Sequence, residues 1–334
     1  MPMLDKADLV LPRGSVILVT GATGFIASNF IVEALKAGYK VRGTARSTGK
    51  AQKTKDVFKS PNYDAIVVPD MEAEGGFNEA VKGVDAIVHM SSPVSFSPNP
   101  KEVVPLAVQG ATSILRSAAK EPRVHRFVFT SSSTATSLPT PGKHFKIDSN
   151  TWNTEIDGFV DFPPPYKPEY AFNVYAASKT KAEEAIWDFR KEHNPKFVIN
   201  SILPSFNMGR VVDSPGGTGG MVVSAFKGDV KWDFPPQYMI NVVDCARLHL
   251  IALIDGSLES QRILAFDTPF NWNVVLAQFR EMFPEKQFPD DQPQGSDLSE
   301  VDNRLGAELL EKWYGQKSYT GLRESLKQNV EGLL

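Results

Sequence analysis

Apolar and polar positions along the chain switch repeatedly between two periods. SVILVT (15–20) is a short β-branched run that meets a glycine-containing turn and then the 3.6-residue pattern of FIASNFIVEALKAG, predicting strand, turn and helix in succession. Gly38 ends that helix in the manner of a C-cap, and KVRGTAR follows as a second strand. Further strands are predicted over 65–68 and over VDAIVHM (84–90). Helical periodicity runs from about 102 to 120 and leads into the apolar strand HRFVFTSS. Such alternation predicts the α/β class, a Rossmann-type doubly wound parallel sheet.

Residues 133–168 form a long connection with proline, aspartate and tryptophan, too long for a simple linker and expected to border a functional site. YAFNVYAASKTKAEEAIWDFRKE then has no internal glycine or proline and is rich in helix formers, whereas FVINSIL reads as a strand entering Pro204. DSPGGTGG (213–220) is a flexible-loop signal, and MINVVDCARLHLIALI predicts a strand followed by a helix capped by Asp244. The expected organisation is a cofactor-binding domain over 1–206, to which 236–258 return. A smaller, interleaved C-terminal substrate lobe takes 207–235 and 259–334.

Composition narrows the function. With 334 residues, 42% hydrophobic and 22% charged, the chain can bury a substantial core. A formal net charge of -3 supplies no excess cations for a nucleic-acid backbone, so no nucleic-acid partner is expected. Cys245 is the single cysteine, which excludes an internal disulfide and points to a reducing compartment, the cytoplasm. Five histidines without metal-binding spacing predict no metal. No apolar run reaches spanning length, so no membrane association is expected.

The turn TGATGFIA places Gly21 and Gly24 where strand becomes helix. Missing side chains there let the backbone approach a pyrophosphate at the helix N-terminus, with Thr23, Phe25 and Ile26 contributing to the cradle. The spacing is Gly-x-x-Gly-x-x-Ala, with Ala27 at the third small position. Glycines that merely shape a turn are the plainer reading, and the flanking strand and helix count against it. An NAD enzyme would carry an acid at the end of the second strand; this one ends Thr44-Ala45-Arg46. Arg46 can grip a 2′-phosphate, with help from Lys50 and Lys53, which favours NADP(H) over NAD. A solvated surface arginine is the alternative. Asp70 and Met71 are candidates to meet the adenine, Asp70 being equally suited to cap a helix. Ser91-Ser92-Pro93 is a candidate to face the ribose.

Tyr175 and Lys179 lie four residues apart on a predicted helix and so share a face. A free phenol has a pKa of about 10; an adjacent ammonium would favour the phenolate, and Lys179 is the expected perturber. Reduction of a carbonyl by a nicotinamide hydride needs a proton donor, Tyr175, and a donor that holds the developing oxygen charge. Ser132, in the run Thr130-Ser131-Ser132-Ser133, is the candidate holder, with Ser131 and Ser133 as substitutes.

Taken together, TGATGFIA, FTSSS, YAASK, LPSFNMG and VVDCA resemble the extended short-chain dehydrogenase/reductase family across most of the chain. VRGTAR, VHMSSPVSF, NVYAASKTKAEEA and PPQYMINVVD are most similar to the fungal NADPH-dependent aldehyde and ketone (carbonyl) reductases, and more distantly to plant dihydroflavonol and cinnamoyl-CoA reductases. The resemblance implies Tyr175, Lys179 and Ser132 as catalytic residues, Arg46 as the 2′-phosphate ligand and Pro204 beside the nicotinamide. Two positions depart from the family pattern. Ala27 replaces a glycine, and Ala107 stands where many relatives have an asparagine, which removes one member of their proton relay.

Phe96, Phe206, Met208, Trp232 and Tyr238, taken as a group, suggest an apolar pocket for a small uncharged carbonyl compound. A nucleotide-sugar epimerase or dehydratase would share the fold, the cofactor and the Tyr/Lys pair. Dehydratases of the family follow the serine position with acids, whereas Ser133-Thr134-Ala135 carries none. A non-catalytic NADP-sensing protein is the reading from another class, and the intact Tyr/Lys pair argues against it. The helices near 101–120 and 170–191 are also suited to pair across a homodimer.

Overall fold

The alternating pattern does build a sheet, and its main part is parallel throughout. The computed structural model describes residues 9–92 and 96–334; Pro93, and Val94 and Ser95 of the VHMSSPVSF segment, lie outside the described residues. The strands are β1 (Val16–Thr20), β2 (Lys40–Ala45), β3 (Tyr63–Val67), β4 (Ala86–His89), β5 (Arg126–Thr130), β6 (Lys146–Ile147), β7 (Val198–Pro204), β8 (Phe206–Met208), β9 (Gln237–Asn241), β10 (Arg262–Ala265), β11 (Pro269–Phe270) and β12 (Glu300–Val301). The helices are α1 (Phe25–Lys36), α2 (Thr48–Phe58), α3 (Pro100–Ala118), α4 (Ala171–His193), α5 (Gly216–Phe226), α6 (Val242–Ile254), α7 (Trp272–Met282), α8 (Arg304–Tyr314) and α9 (Leu322–Val330).

The large sheet runs β10-β7-β5-β4-β1-β2-β3, so the strand order reverses between β1 and β4. Buried on both faces, its central strands read as apolar runs rather than alternating ones. One face carries α1 and α6, whose Phe30, Ile31, Leu248 and Ile251 pack with Ile17 and Val19. The other carries α3 and α4, whose Ile114, Leu115 and Ile186 pack with Leu18, Ile87 and Phe127. Arg126 ties β5 to the end of α6 by donating to the carbonyls of Leu253, Asp255 and Leu258. A three-stranded sheet, β11-β9-β8, with α5, α7 and α9 forms the smaller lobe around Phe206, Trp272 and Phe279. β10 falls within the 259–334 stretch expected for that lobe, yet it pairs with β7 as an edge strand of the large sheet. Among the described residues no helix is long and apolar enough to cross a membrane.

Helix ends follow local chemistry. Asn99 caps α3 ahead of Pro100, and α4 ends at a left-handed Asn194 with Arg190, Lys191 and His193 in its last turn, where cations suit the helix dipole. Three expectations need correcting. α2 was not anticipated, because only Ala51 and Thr54 of its eleven residues are buried and the apolar stripe is too thin to read; Ser47 supplies its cap. Asp244 does not cap α6. Asn241 does, accepting from the Val243 N–H, and the buried Asp244 instead accepts from Thr320 and Gln316, joining α6 to the segment between α8 and α9.

The third correction concerns GGTGG, which forms the opening of α5 rather than a flexible loop. A Cβ on Gly216 would stand 2.8 Å from Cβ of Phe25, and one on Gly219 3.1 Å from its ring, so glycine is there for close approach of α5 to the start of α1. Gly216 also has φ +61. Gly216→Ala is therefore expected to destabilise the protein by about 1–3 kcal/mol through strain and overpacking. Gly217→Ala, facing open space on the same helix, is expected to be neutral or to stabilise by up to about 1 kcal/mol. Denaturant unfolding of the two variants checks the contrast, and an equal response of both would contradict it.

Candidate active site

Parallel strands deliver all their carboxyl ends to one edge, and the site is assembled there. After β1 the chain turns through Gly21, whose φ is +68 and whose Cβ, if present, would lie 3.1 Å from Ser91. The Gly24 N–H donates to the Gly21 carbonyl and Ser28 N–H to Gly24, leaving the first N–H groups of α1, from Phe25 and Ile26, outside the helical ladder and directed at the turn. A cavity of about 810 Å³ opens beside this turn. Its lining includes Gly21, Thr23 and Gly24 of the turn, Arg46 and Lys50 beyond β2, Asp70 and Met71 beyond β3, and Ser91 and Ser92 beyond β4.

Most of the predicted cofactor residues thus meet in one place, including the exposed Arg46. The buried Ser91 hydroxyl has no hydrogen-bond partner among the described residues. Lys53 does not join them, because its ammonium pairs with Asp213 at 2.8 Å. Asp70 Oδ1 accepts from the Glu72 and Ala73 N–H groups, so this carboxylate caps the following turn as well as facing the cavity. Hydrogen bonding from Glu72 holds Asp70 below the usual carboxylate range. Phe25 and Ile26 do not line the cavity: Phe25's ring packs on α5 and Ile26 against the core. Thr20 Oγ1 accepts from the Met90 and Ser91 N–H groups and bonds His89 Nδ1 at 2.9 Å, fixing the end of β4 against β1. Burial pushes His89 down to about 3, so it stays neutral.

The second part of the site lies where β5 ends beside α4. Ser132 is almost fully buried, and its oxygen accepts from the Thr134 N–H at 3.2 Å and Thr134 Oγ1 at 2.9 Å, which leaves its own proton for a ligand oxygen. The hydroxyl also acts on Tyr175, favouring its phenolate. Ser131 is excluded as the oxygen-holder because its hydroxyl is committed to Glu183 at 2.6 Å. Ser133 instead borders a small cavity of about 20 Å³ with Tyr238, Phe145 and Phe266.

Burial pushes the Tyr175 phenol up from 10.0, and the Ser132 hydroxyl pulls it back. The lysine expected to do this is engaged elsewhere: Lys179 Nζ donates to the Thr130 carbonyl at 3.0 Å and lies 5.3 Å from the Phe129 ring centre. Burial brings Lys179 from 10.5 down to about 8, opposed by the nearby Glu183 carboxylate. The lysine is therefore charged at neutral pH and loses its proton as pH rises through 8. A lowered folded value also means that its burial cost is relieved between pH 8 and 10.5, so this group's contribution to stability rises with pH while its charge is lost. Ala107 is buried among Ala111, Ala182 and Ile186 and offers no polar atom to a relay.

The aromatic group divides. Phe96, 61% exposed, stacks near Tyr175 at 5.4 Å between ring centres. Phe206 and Met208 share one face of β8 and are buried in the small-lobe core, where they pack rather than line a pocket. Trp232 packs against the same core, and Tyr238 donates to the Ser299 carbonyl. Two residues that the sequence reading missed join Phe96 here: Phe172 stacks on Tyr175 at 6.3 Å, and Phe234 meets both Phe172 and Phe206. Phe172 was legible, because three residues before Tyr175 on a helix is the same face. Phe234 carried no such signal. Pro204 is buried at the end of β7, paired with Ala265.

Comparison with known proteins gives a consistent result. Residues 17–210 match the model of the "NAD dependent epimerase/dehydratase family". Aldehyde reductase 2 of Sporidiobolus salmonicolor is 40% identical over 99% of this chain and 98% of its own length. A protein of Aspergillus terreus named NAD-dependent epimerase/dehydratase terH is 37% identical over 98% of this chain and 99% of its own. The yeast methylglyoxal/isovaleraldehyde reductase Gre2, solved with NADPH, superposes with a TM-score of 0.80 at 26% identity, over 96% of this chain and 98% of that one. The family match covers more than half of the chain and the relatives are similar over nearly all of it, so this chain belongs to the NAD-dependent epimerase/dehydratase family of extended short-chain dehydrogenases/reductases.

Proposed function

We propose that the chain is an NADPH-dependent reductase that converts aldehydes or ketones to alcohols. The observation that carries this reading is the convergence of Ser132, Tyr175 and Lys179 at the end of β5, the strand paired with β4, after whose end Met90, Ser91 and Ser92 line the cofactor-sized cavity. The chemistry of the relatives supports it: one is named an aldehyde reductase, another a methylglyoxal/isovaleraldehyde reductase solved with NADPH. The cavity residues fit that group. Gly21 and Gly24 admit a pyrophosphate, the α1 N-terminus favours its charge, Arg46 and Lys50 supply cations for the 2′-phosphate, and the Ser91 hydroxyl, which has no partner among the described residues, supplies a polar contact. Pro204, at the end of β7, is assigned to the nicotinamide side.

NADPH, when bound, supplies the hydride. The chain's own residues handle the oxygen and the proton. Ser132 donates to the carbonyl oxygen through the one proton that Thr134 leaves free. Tyr175 gives its phenolic proton to the same oxygen as charge develops there. Lys179, held by Thr130 and engaged away from the phenol, is assigned the role of favouring the phenolate once the proton has left, through its charge one turn along α4. Phe96, Phe172 and Phe234 exclude water around Tyr175 and favour an apolar, uncharged carbonyl compound. In this division of labour 1–206 and 236–258, with β10, serve the cofactor, and 207–235 with the remainder of 259–334 shapes the substrate side.

Loss of NADPH absorbance on a panel of aldehydes, ketones and β-keto esters tests the reading, with NADH in parallel. Turnover is expected with NADPH and reduced on the order of a hundredfold or more in Tyr175→Phe. Cofactor binding without oxidation of either nucleotide by any carbonyl would contradict it. Arg46→Ala is expected to raise KM for NADPH on the order of tenfold or more by deleting a charge-assisted contact, with KM for NADH little changed. Equal effects on the two cofactors would remove Arg46 from the 2′-phosphate.

A further inference from the structure

Glu183 lies one helical turn beyond Lys179 on α4 and is completely buried. Its carboxylate accepts from Ser131 Oγ at 2.6 Å, Ser201 Oγ at 2.7 Å, Arg262 Nε at 2.9 Å and Trp187 Nε1 at 3.3 Å. These donors come from the end of β5, from β7, from β10 and from α4 itself. Arg262 carries the connection further: it donates to the carbonyls of Ser149 and Thr151, and its guanidinium lies 3.8 Å from the centre of the Trp152 ring. One carboxylate thereby joins the helix of Tyr175 and Lys179 to the strand end that carries Ser132 and to the 133–168 connection.

A buried ion pair is a poor way to gain stability, because apolar residues of the same volume would avoid its desolvation cost. Its retention needs another reason, and the neighbourhood of Lys179 supplies one. The ammonium faces the Thr130 carbonyl and the Phe129 ring on β5, the neutral His89 on β4, and Glu183 on its own helix, where Tyr175 stands one turn before it. Of these groups Glu183 is the carboxylate, and it is ion-paired with the Arg262 guanidinium at 2.9 Å. Its attraction opposes the burial that draws Lys179 toward neutrality.

We propose that Glu183 is a positioning residue of the reduction, holding Lys179 charged and the Ser131–Ser132 strand end fixed against α4 while itself touching neither substrate nor cofactor. The proposal rests on the reductase reading for its kinetic readout. Glu183→Gln keeps the shape and most hydrogen bonds but removes the charge. Its kcat at neutral pH is expected to fall severalfold with KM for NADPH little changed, and the alkaline limb of its kcat profile to move about one pH unit lower. Glu183→Asp is expected to restore the limb in part. Because Glu183→Gln leaves Arg262 uncompensated and can unfold the protein, the pair Glu183→Gln with Arg262→Gln provides a charge-balanced variant for the same measurements.

The titration of Lys179, followed by NMR of isotope-labelled lysine and assigned with Lys179→Arg, gives a readout that needs no turnover. A lower titration point in the Glu183 variants supports the proposal. Folded variants in which the alkaline limb and the Lys179 titration both stay at their wild-type positions, whatever their melting temperature, overturn it. Should the wild type oxidise no NADPH with any carbonyl, the reductase reading falls alone, and the Lys179 titration still decides the role of Glu183.

Discussion

The constraint on which the rest depends is that every strand of the large sheet points the same way. A parallel sheet must return the chain from each strand's end to the next strand's start by a crossover, most often a helix, so all its carboxyl ends emerge on one edge. The ends of β1, β2, β3 and β4 each contribute to the 810 Å³ cavity. The end of β5 contributes Ser132, and the helix that follows the long connection returns Tyr175 and Lys179 to it. Because the strand order reverses between β1 and β4, the helices there leave to opposite faces and open the crevice that the turn at Gly21 lines.

Electrostatics then separate the roles of the residues brought together. Burial works against charge on Tyr175 and Lys179 alike, raising one and lowering the other. The change for Lys179, from 10.5 to about 8, corresponds to roughly 3 kcal/mol against its charged form. That is affordable because the ammonium keeps the Thr130 carbonyl and the Glu183 field. The same burial silences His89 and His249, held down to about 3 and about 4, so neither is placed to exchange protons near neutrality. Tyr175, beside the exposed Phe96 and the half-buried Phe172, is by contrast only partly covered.

Local signals made much of this legible. β-branched runs, the Gly21/Gly24 turn and the four-residue spacing of Tyr175 and Lys179 each depend on neighbours in sequence, and each appears where the pattern put it. What escaped the sequence depended on distant packing. GGTGG is helical because α1 lies against it, Asp244 binds residues more than seventy positions away, and Met208 is core because α5, α7 and α9 cover that face of β8. Lys53 looked available for phosphate until Asp213 was brought beside it. Glu183 stood in the sequence one turn after Lys179, yet only the fold reveals that Ser131, Ser201 and Arg262 converge on it.

The central claim is that the end of β5 and the face of α4 act as one unit on one oxygen atom. A double-mutant cycle of Ser132→Ala and Tyr175→Phe on kcat/KM for carbonyl reduction measures this most directly. Residues that hold and protonate the same oxygen lose most of their joint effect when either is removed, so the double variant is predicted to be little worse than the poorer single variant. Losses that simply add would contradict the account, because they would mean that the two side chains act at separate places or in separate steps.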